Sequence, residues 1–431
     1  MSAVARESLG ALVSRLWRDP AAWITTSDVF IILVALSLPW STSLVSIFVV
    51  AALVTMAPSF DAQAFLQSLK RPVSIAPVAL FVLALVGTLW SDAPWGARLY
   101  AVGPAAKLLM LPVLFYHFER STRGMHVLTA FLASCILLMA ISWLVAFEPG
   151  LTLKSKEVAS RGIFVKNYID QSQEFALCAV ALAYPIFTLL RASKIWPALL
   201  LGAIALSFIV NMAFVIVSRT ALVTMPIMIA VFGLLHLRWR TNLLIFCLVI
   251  VAGLAAWTVS AQLETTVATF AREYRDYREQ GASTSIGERL EYWKKSLRFF
   301  AAAPVIGHGT GATRGLFEKA ATGPATLAAG EVVSNPHNQT LNVAIQWGVI
   351  GILILYLMWI SHLFMFRGDG LASWIGLLVV VQNIFTSLFN SHIFDFHEGW
   401  MYVLGVGVAG GMVLKSASLQ AARATWNSIG T

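Results

Sequence analysis

The stretch "NPHNQTLNVAIQWGVIG", residues 335–351, passes from polar residues into an apolar run that continues to about residue 365. Roughly twenty apolar residues cross a bilayer as a helix, so this run predicts a membrane span starting near Asn338. Pro336, His337, Asn338 and Gln339 crowd together at its mouth. A simple anchor has no use for an ionisable imidazole at that depth, so the mouth reads as a working position.

Composition carries the same reading over the whole chain. Its 431 residues are 58% hydrophobic and 12% charged, with a mean hydropathy of +0.77. A soluble domain cannot hide that much apolar surface, so the expected class is an all-α polytopic membrane protein surrounded by membrane lipids. The net charge of +9 resides mostly in short loops between apolar runs, where topology accounts for it. No nucleic-acid motif accompanies it, and nucleic acid is not an expected partner. Cys135, Cys178 and Cys247 lie inside apolar runs without CxxC spacing, as small core residues do. The opening "MSAVARESLGALVSRLWRDP" is charged throughout, unlike a cleavable signal. Its Leu9, Leu12, Val13, Leu16 and Trp17 suit an interfacial helix, and an unstructured basic start fits equally.

Apolar runs near residues 28–40, 42–57, 73–90, 98–117, 126–147, 170–190, 196–217, 220–236, 242–260, 338–365, 371–391 and 398–415 predict about twelve spans. The first two are short and meet at Pro39-Trp40-Ser41, so a bent hairpin or a re-entrant pair is an alternative to two helices. Arg15, Arg18, Lys70, Arg71, Arg120, Arg123, Arg191, Lys194, Arg238, Arg240, Arg367 and Lys415 fall on one side. The positive-inside rule makes that side cytoplasmic, with both termini there. The expected division is a cytoplasmic segment 1–27, spans in 28–260, an outward helical loop 261–337, spans in 338–415 and a cytoplasmic tail 416–431. Residues 148–169 and the turn Ser218-Arg219-Thr220 also face outward. In the long loop, "LETTVATFAREYRDYREQ" and "GERLEYWKKSLRFFAAAP" have helical spacing, and Pro304, Gly307, Gly309 and Gly311 break the second helix.

Several outward cations go beyond what topology needs. Arg219 occupies a turn of almost no length; Arg161 and Lys166 sit in the first outward loop; Arg289 begins the second loop helix; Arg98 and Lys107 belong to the fourth span. Arg98 and Lys166 can snorkel to headgroups. Lys107, near mid-membrane, has Asp170, Glu174 or a phosphate as candidate partners. Arginines converging beside lipid suit a lipid-linked phosphate or diphosphate, because guanidinium binds phosphate oxygens in a fork and keeps its charge. No DxD pair, HExxH or outward acidic cluster stands out, so no metal is expected. A histidine with an ordinary pKa near 6.5 can take a proton from a hydroxyl at neutral pH. His337 is the best placed of the eight; its competing role is to cap the helix start, which Asn335 would do better.

The motifs are also recognisable. "PHNQTLNVAIQWGVIGI" resembles the His-Asn-x-x-Leu…Gly-x-x-Gly signature of the O-antigen ligase and polymerase superfamily. "SRT" at 218–220 resembles its Ser-Arg turn, and "GERLEYWKKSLRFFAAAPVIGHGTG" its Arg-x-x-x-Trp helix followed by Pro-x-x-Gly-x-Gly. The resemblance covers about residues 160–415 and implies a bacterial inner-membrane glycosyltransferase, metal-independent and without cofactor, with a periplasmic active site. The implied donor is a polysaccharide on undecaprenyl diphosphate, and the implied acceptor of a ligase is the lipid A core oligosaccharide. Carried onto this chain, His337 matches the catalytic histidine, while Arg219, Arg289 and, more loosely, Arg161 match donor-binding cations. Lys107, Asn338 and Gln339 are candidate supports. An O-antigen polymerase or a pilin-type protein O-oligosaccharyltransferase would share these features. A lipid-glycan transporter would share the span count, although no internal repeat of the transporter kind is visible.

Overall fold

The computed structural model describes residues 19–151, 155, 158, 161–324 and 326–429. The suggested interfacial helix in residues 1–17 lies outside them. Every apolar run predicted above is helical, and among the described residues there is no strand, only an isolated bridge between Ala282 and Leu327. The chain is an all-α polytopic membrane protein.

The helices are α1 (Pro20–Ser37), α2 (Thr42–Met56), α3 (Ala62–Leu69), α4 (Pro72–Val86), α5 (Trp95–Ala106), α6 (Met110–Arg120), α7 (Gly124–Phe147), α8 (Tyr168–Ala181) and α9 (Ala183–Arg191). They continue with α10 (Ile195–Phe214), α11 (Arg219–His236), α12 (Trp239–Val259), α13 (Ala261–Gln280), α14 (Ser285–Ala302), α15 (Thr313–Ala320), α16 (Gln339–Met365), α17 (Leu371–Thr386) and α18 (Phe396–Ile429). Among the described residues, ten spans, some of them joined from consecutive helices, are long and apolar enough to cross a membrane; the pair α3–α4, bent by 86° at the break before Pro72, can supply an eleventh. The expected twelve differ by α17, whose 16 residues stop at Thr386. The rest of that apolar run is spent on a loop, Ser387–Asp395, that returns to the start of α16 through Gln339 N–H to Ser387 O at 2.9 Å. The first pair consists of two separate helices, with Ser41 capping α2 through Leu44 N–H.

Two features lock the bundle. Gly407, Gly410 and Gly411 let α18 lie directly against Leu114, Phe115 and Phe118 of α6, the close approach that small residues allow between membrane helices. The second is a break in α16 at Gly348, where φ is 60° and ψ −153°. Backbone groups freed inside a membrane need protein partners, and the loop after α14 provides them. Pro304 O accepts from Val349 N–H at 2.8 Å, while His308 and Gly309 N–H donate to Ile345 O and Gln346 O at 2.8 and 2.9 Å. Thr310 pins this loop to α4, donating to Ala84 O at 2.6 Å and accepting from Trp347 Nε1 at 2.8 Å. The glycine-rich segment is thus a structural clasp.

Gly348→Ala should be severe, because only glycine holds that backbone conformation easily and a Cβ there would sit 2.3 Å from Val305 O. Strain and clash together should cost about 3 kcal/mol or more. Melting of the detergent-purified variant measures this, and an unchanged midpoint would refute the clasp.

Candidate active site at the mouth of the bundle

The polar start of α16 divides its labour. Asn338, in extended backbone, caps the helix by accepting from Leu341 N–H, and its amide donates to Leu388 O at 3.2 Å. Gln339 is fully buried and accepts from Ile393 N–H at 3.0 Å. Both therefore tie α16 to the 387–395 loop. Neither His337 nor Asn335 caps the helix, contrary to the competing role considered above. His337 instead adopts φ 53°, one of two non-glycine residues with positive φ among the described residues. Such strain persists only where surrounding contacts hold it.

Those contacts are specific. Asn335 Oδ1 accepts from His337 N–H at 2.9 Å, and His337 Nδ1 lies 2.9 Å from Asn390 Oδ1. The ring stacks on Tyr292 of α14, 6.0 Å between centroids and 28° between planes. Among the described residues nothing bonds Nε2. Burial pushes the imidazole below its ordinary pKa; the bond to Asn390 opposes this and the charge of Arg289 adds to it.

Arg161, Arg219 and Arg289, distant in sequence, line one open cleft of about 340 Å³. Arg219 opens α11 and makes a two-pronged salt bridge with Glu273 of α13, at 2.8 and 2.9 Å. Ser218 before it gives the helix no side-chain cap, and its buried hydroxyl has no hydrogen-bond partner among the described residues. An uncapped helix start with a spare hydroxyl suits an anion. Arg289, half-buried, makes no ion pair among the described residues; burial lowers its pKa and the charge of Arg219 lowers it further. The charge of Arg219 acts on Arg289, and that of Arg289 on His337. Arg161 is exposed at the rim.

The remaining cations turn inward. Lys107 sits in a short 3₁₀ break between α5 and α6 and donates to the carbonyls of Phe394 and Asp395. Of its candidate partners, neither carboxylate pairs with it among the described residues: Asp170 binds His397 at 2.7 Å and Glu174 binds Lys166 at 3.0 Å. Arg98 also finds protein partners. It donates to Thr88 O at 2.8 Å and lies 4.6 Å from the Trp95 ring centre. The expected lack of an acidic cluster also needs correction. His392, Asp395 and Glu398 place ligand atoms within 4.8 Å of one another, three residues apart across the loop and the start of α18. This spacing matches neither HExxH nor DxD. Lys107 is close enough for both carboxylates to act on its charge. Burial, with Glu398 nearby, lifts Asp395 to a pKa of about 6.

Residues 204–356 match a family model described as O-antigen ligase. The match supports membership of the O-antigen ligase superfamily. It runs from α10 into α16 and contains Arg219, Arg289 and His337, while Arg161, Lys107 and Asn390 lie outside it. No curated protein matches the chain. Sequence reasoning overlooked Asn390, Tyr292 and Glu273. Asn390 stands in "NSHIFDFHEGW", the polar stretch that leads into α18.

Proposed function

We propose that the protein is an O-antigen ligase: an inverting glycosyltransferase that moves a polysaccharide from undecaprenyl diphosphate to the lipid A core oligosaccharide at the periplasmic face of the inner membrane. The observation that carries this reading is one cleft lined by three arginines, of which Arg289 acts by its charge on the half-buried imidazole of His337. Arg161, Arg219 and Arg289 hold the donor diphosphate. His337 Nε2 takes the proton of the acceptor hydroxyl, whose oxygen attacks the anomeric carbon on the face opposite the diphosphate. The new glycosidic bond forms as the carbon–phosphate oxygen bond breaks, and undecaprenyl diphosphate leaves with the bonding pair. Guanidinium groups already aimed at the phosphates stabilise the charge that develops there, and no nucleotide is consumed.

The test is reconstitution with a lipid-linked glycan plus either lipid A core or a second lipid-linked glycan, with chelator present. Glycan on the core with release of carrier diphosphate supports the ligase; long chains remaining on carrier lipid mean a polymerase; loss of transfer in chelator gives His392, Asp395 and Glu398 a metal to hold.

The pH dependence follows from burial of His337. A base works when neutral, and its pKa is lowered. The rate should therefore be flat through neutral pH and fall only below the ordinary histidine midpoint near 6.5. A profile of kcat/KM with its acid midpoint at or above that value contradicts the assignment.

A further inference from the structure

We propose that Asn390 is a positioning residue that holds His337 with its proton on Nδ1, leaving the Nε2 lone pair free. The inference rests on the reading of His337 as the base and adds what sets its tautomer. The positions of amide oxygens and imidazole protons are ordinarily matters of assignment; here a backbone group decides them. His337 N–H can only donate, so the Asn335 atom 2.9 Å away is its oxygen. Ser391 Oγ donates to that same oxygen at 2.7 Å. Asn335 Nδ2 must then donate to Asn390, at 2.9 Å, making the atom it meets Oδ1. Asn390 Nδ2 points the other way, to Asp395 Oδ2 at 2.6 Å. A flipped Asn390 amide would set NH₂ against NH₂ at Asn335 and oxygen against carboxylate at Asp395. His337 Nδ1, 2.9 Å from an oxygen that can only accept, carries the proton.

The loop bearing Asn390 is held at both ends. Lys107 grips the carbonyls of Phe394 and Asp395, and Asn342 donates to Ser391 Oγ at 3.0 Å. This gives the buried cation of the fourth span a purpose that no phosphate supplies: it fixes the loop that fixes the base. The charged and titratable groups acting on His337 are Arg289 and Glu288 of α14 and His392 of the loop, with Tyr292 stacked on the ring.

The experiment compares Asn390→Leu and Asp395→Asn with the wild type in nanodiscs, using an undecaprenyl-diphosphate-linked glycan and lipid A core. Asn390→Leu should lower kcat by about 10- to 100-fold, as loss of an orienting partner of a working histidine does, with donor KM little changed. Removing its bond to His337 should also move the acid limb of the pH profile to lower pH, a change that simple loosening does not produce. Asp395→Asn still accepts from Asn390 and should keep most of the rate. Wild-type kcat in Asn390→Leu, or a loss confined to KM with the acid limb unmoved, overturns the proposal. A second measurement needs no activity and no stable Asn390 variant. In wild-type protein labelled with ¹⁵N-histidine, the His337 signal, assigned by its absence in His337→Asn, should show a protonated Nδ1 at neutral pH. A protonated Nε2 with bare Nδ1 overturns the tautomer and leaves the ligase reading to its own test.

Discussion

His337→Ala is expected to lower glycan transfer by about 10²–10⁴, the usual worth of a positioned base, while leaving donor binding largely intact. His337 does not cap α16, since Asn338 does, and Nε2 has no bond among the described residues, so its removal should not unpick the helix start. One complication can be removed in advance. At φ 53° alanine is strained, whereas asparagine tolerates left-handed backbone. His337→Asn therefore separates chemistry from backbone: it should fold like wild type, bind donor, and be as slow as the alanine variant. Wild-type turnover in either purified variant would end the assignment of His337 as the base.

The second large effect belongs to Arg289. Replacement by Gln should cost about 10²–10³ in kcat, the scale seen when one preorganised donor to a developing anion is lost. Arg289 is a cleaner target than Arg219. Arg219 is paired with Glu273, so removing its guanidinium strands a carboxylate in the cleft and adds repulsion to the lost contact. Arg289 leaves no such orphan. Lysine at 289 should recover little, because a point charge does not reproduce a planar fork. Arg161, exposed at the rim, should tolerate Gln with a rise in KM alone. Equal losses at 161 and 289 would contradict the order of depth argued for the cleft.

How far the sequence carried this picture depends on the range of the interactions involved. Span positions were legible because apolar runs are local, and all of them fold as helices. The end of α17 was not legible: nothing near Thr386 says that Ser387 will be recruited by Gln339 across the fold. The arginines and His337 were legible as residue types in costly places, and the cleft brings the three arginines together. Their partners were not, because Glu273 and Asn390 act on residues more than fifty positions away. Lys107 shows the same limit. A buried cation had to bind something, and the sequence offered Asp170, Glu174 or a phosphate, whereas the loop carbonyls at 394 and 395 satisfy it.

The pairing of Arg219 with Glu273 has a consequence for the company this cleft keeps. Membranes are crowded with singly charged phosphate headgroups, and three bare guanidinium groups would collect them. A monoanion offers Arg219 little that a two-pronged carboxylate does not already give, so the exchange is close to even. A diphosphate brings several charges and can engage Arg289 and Arg161 in the same step, tipping the exchange. On the proposed reading, in which the cleft holds a diphosphate, the internal carboxylate acts as a valence filter against singly charged headgroups without any steric gate.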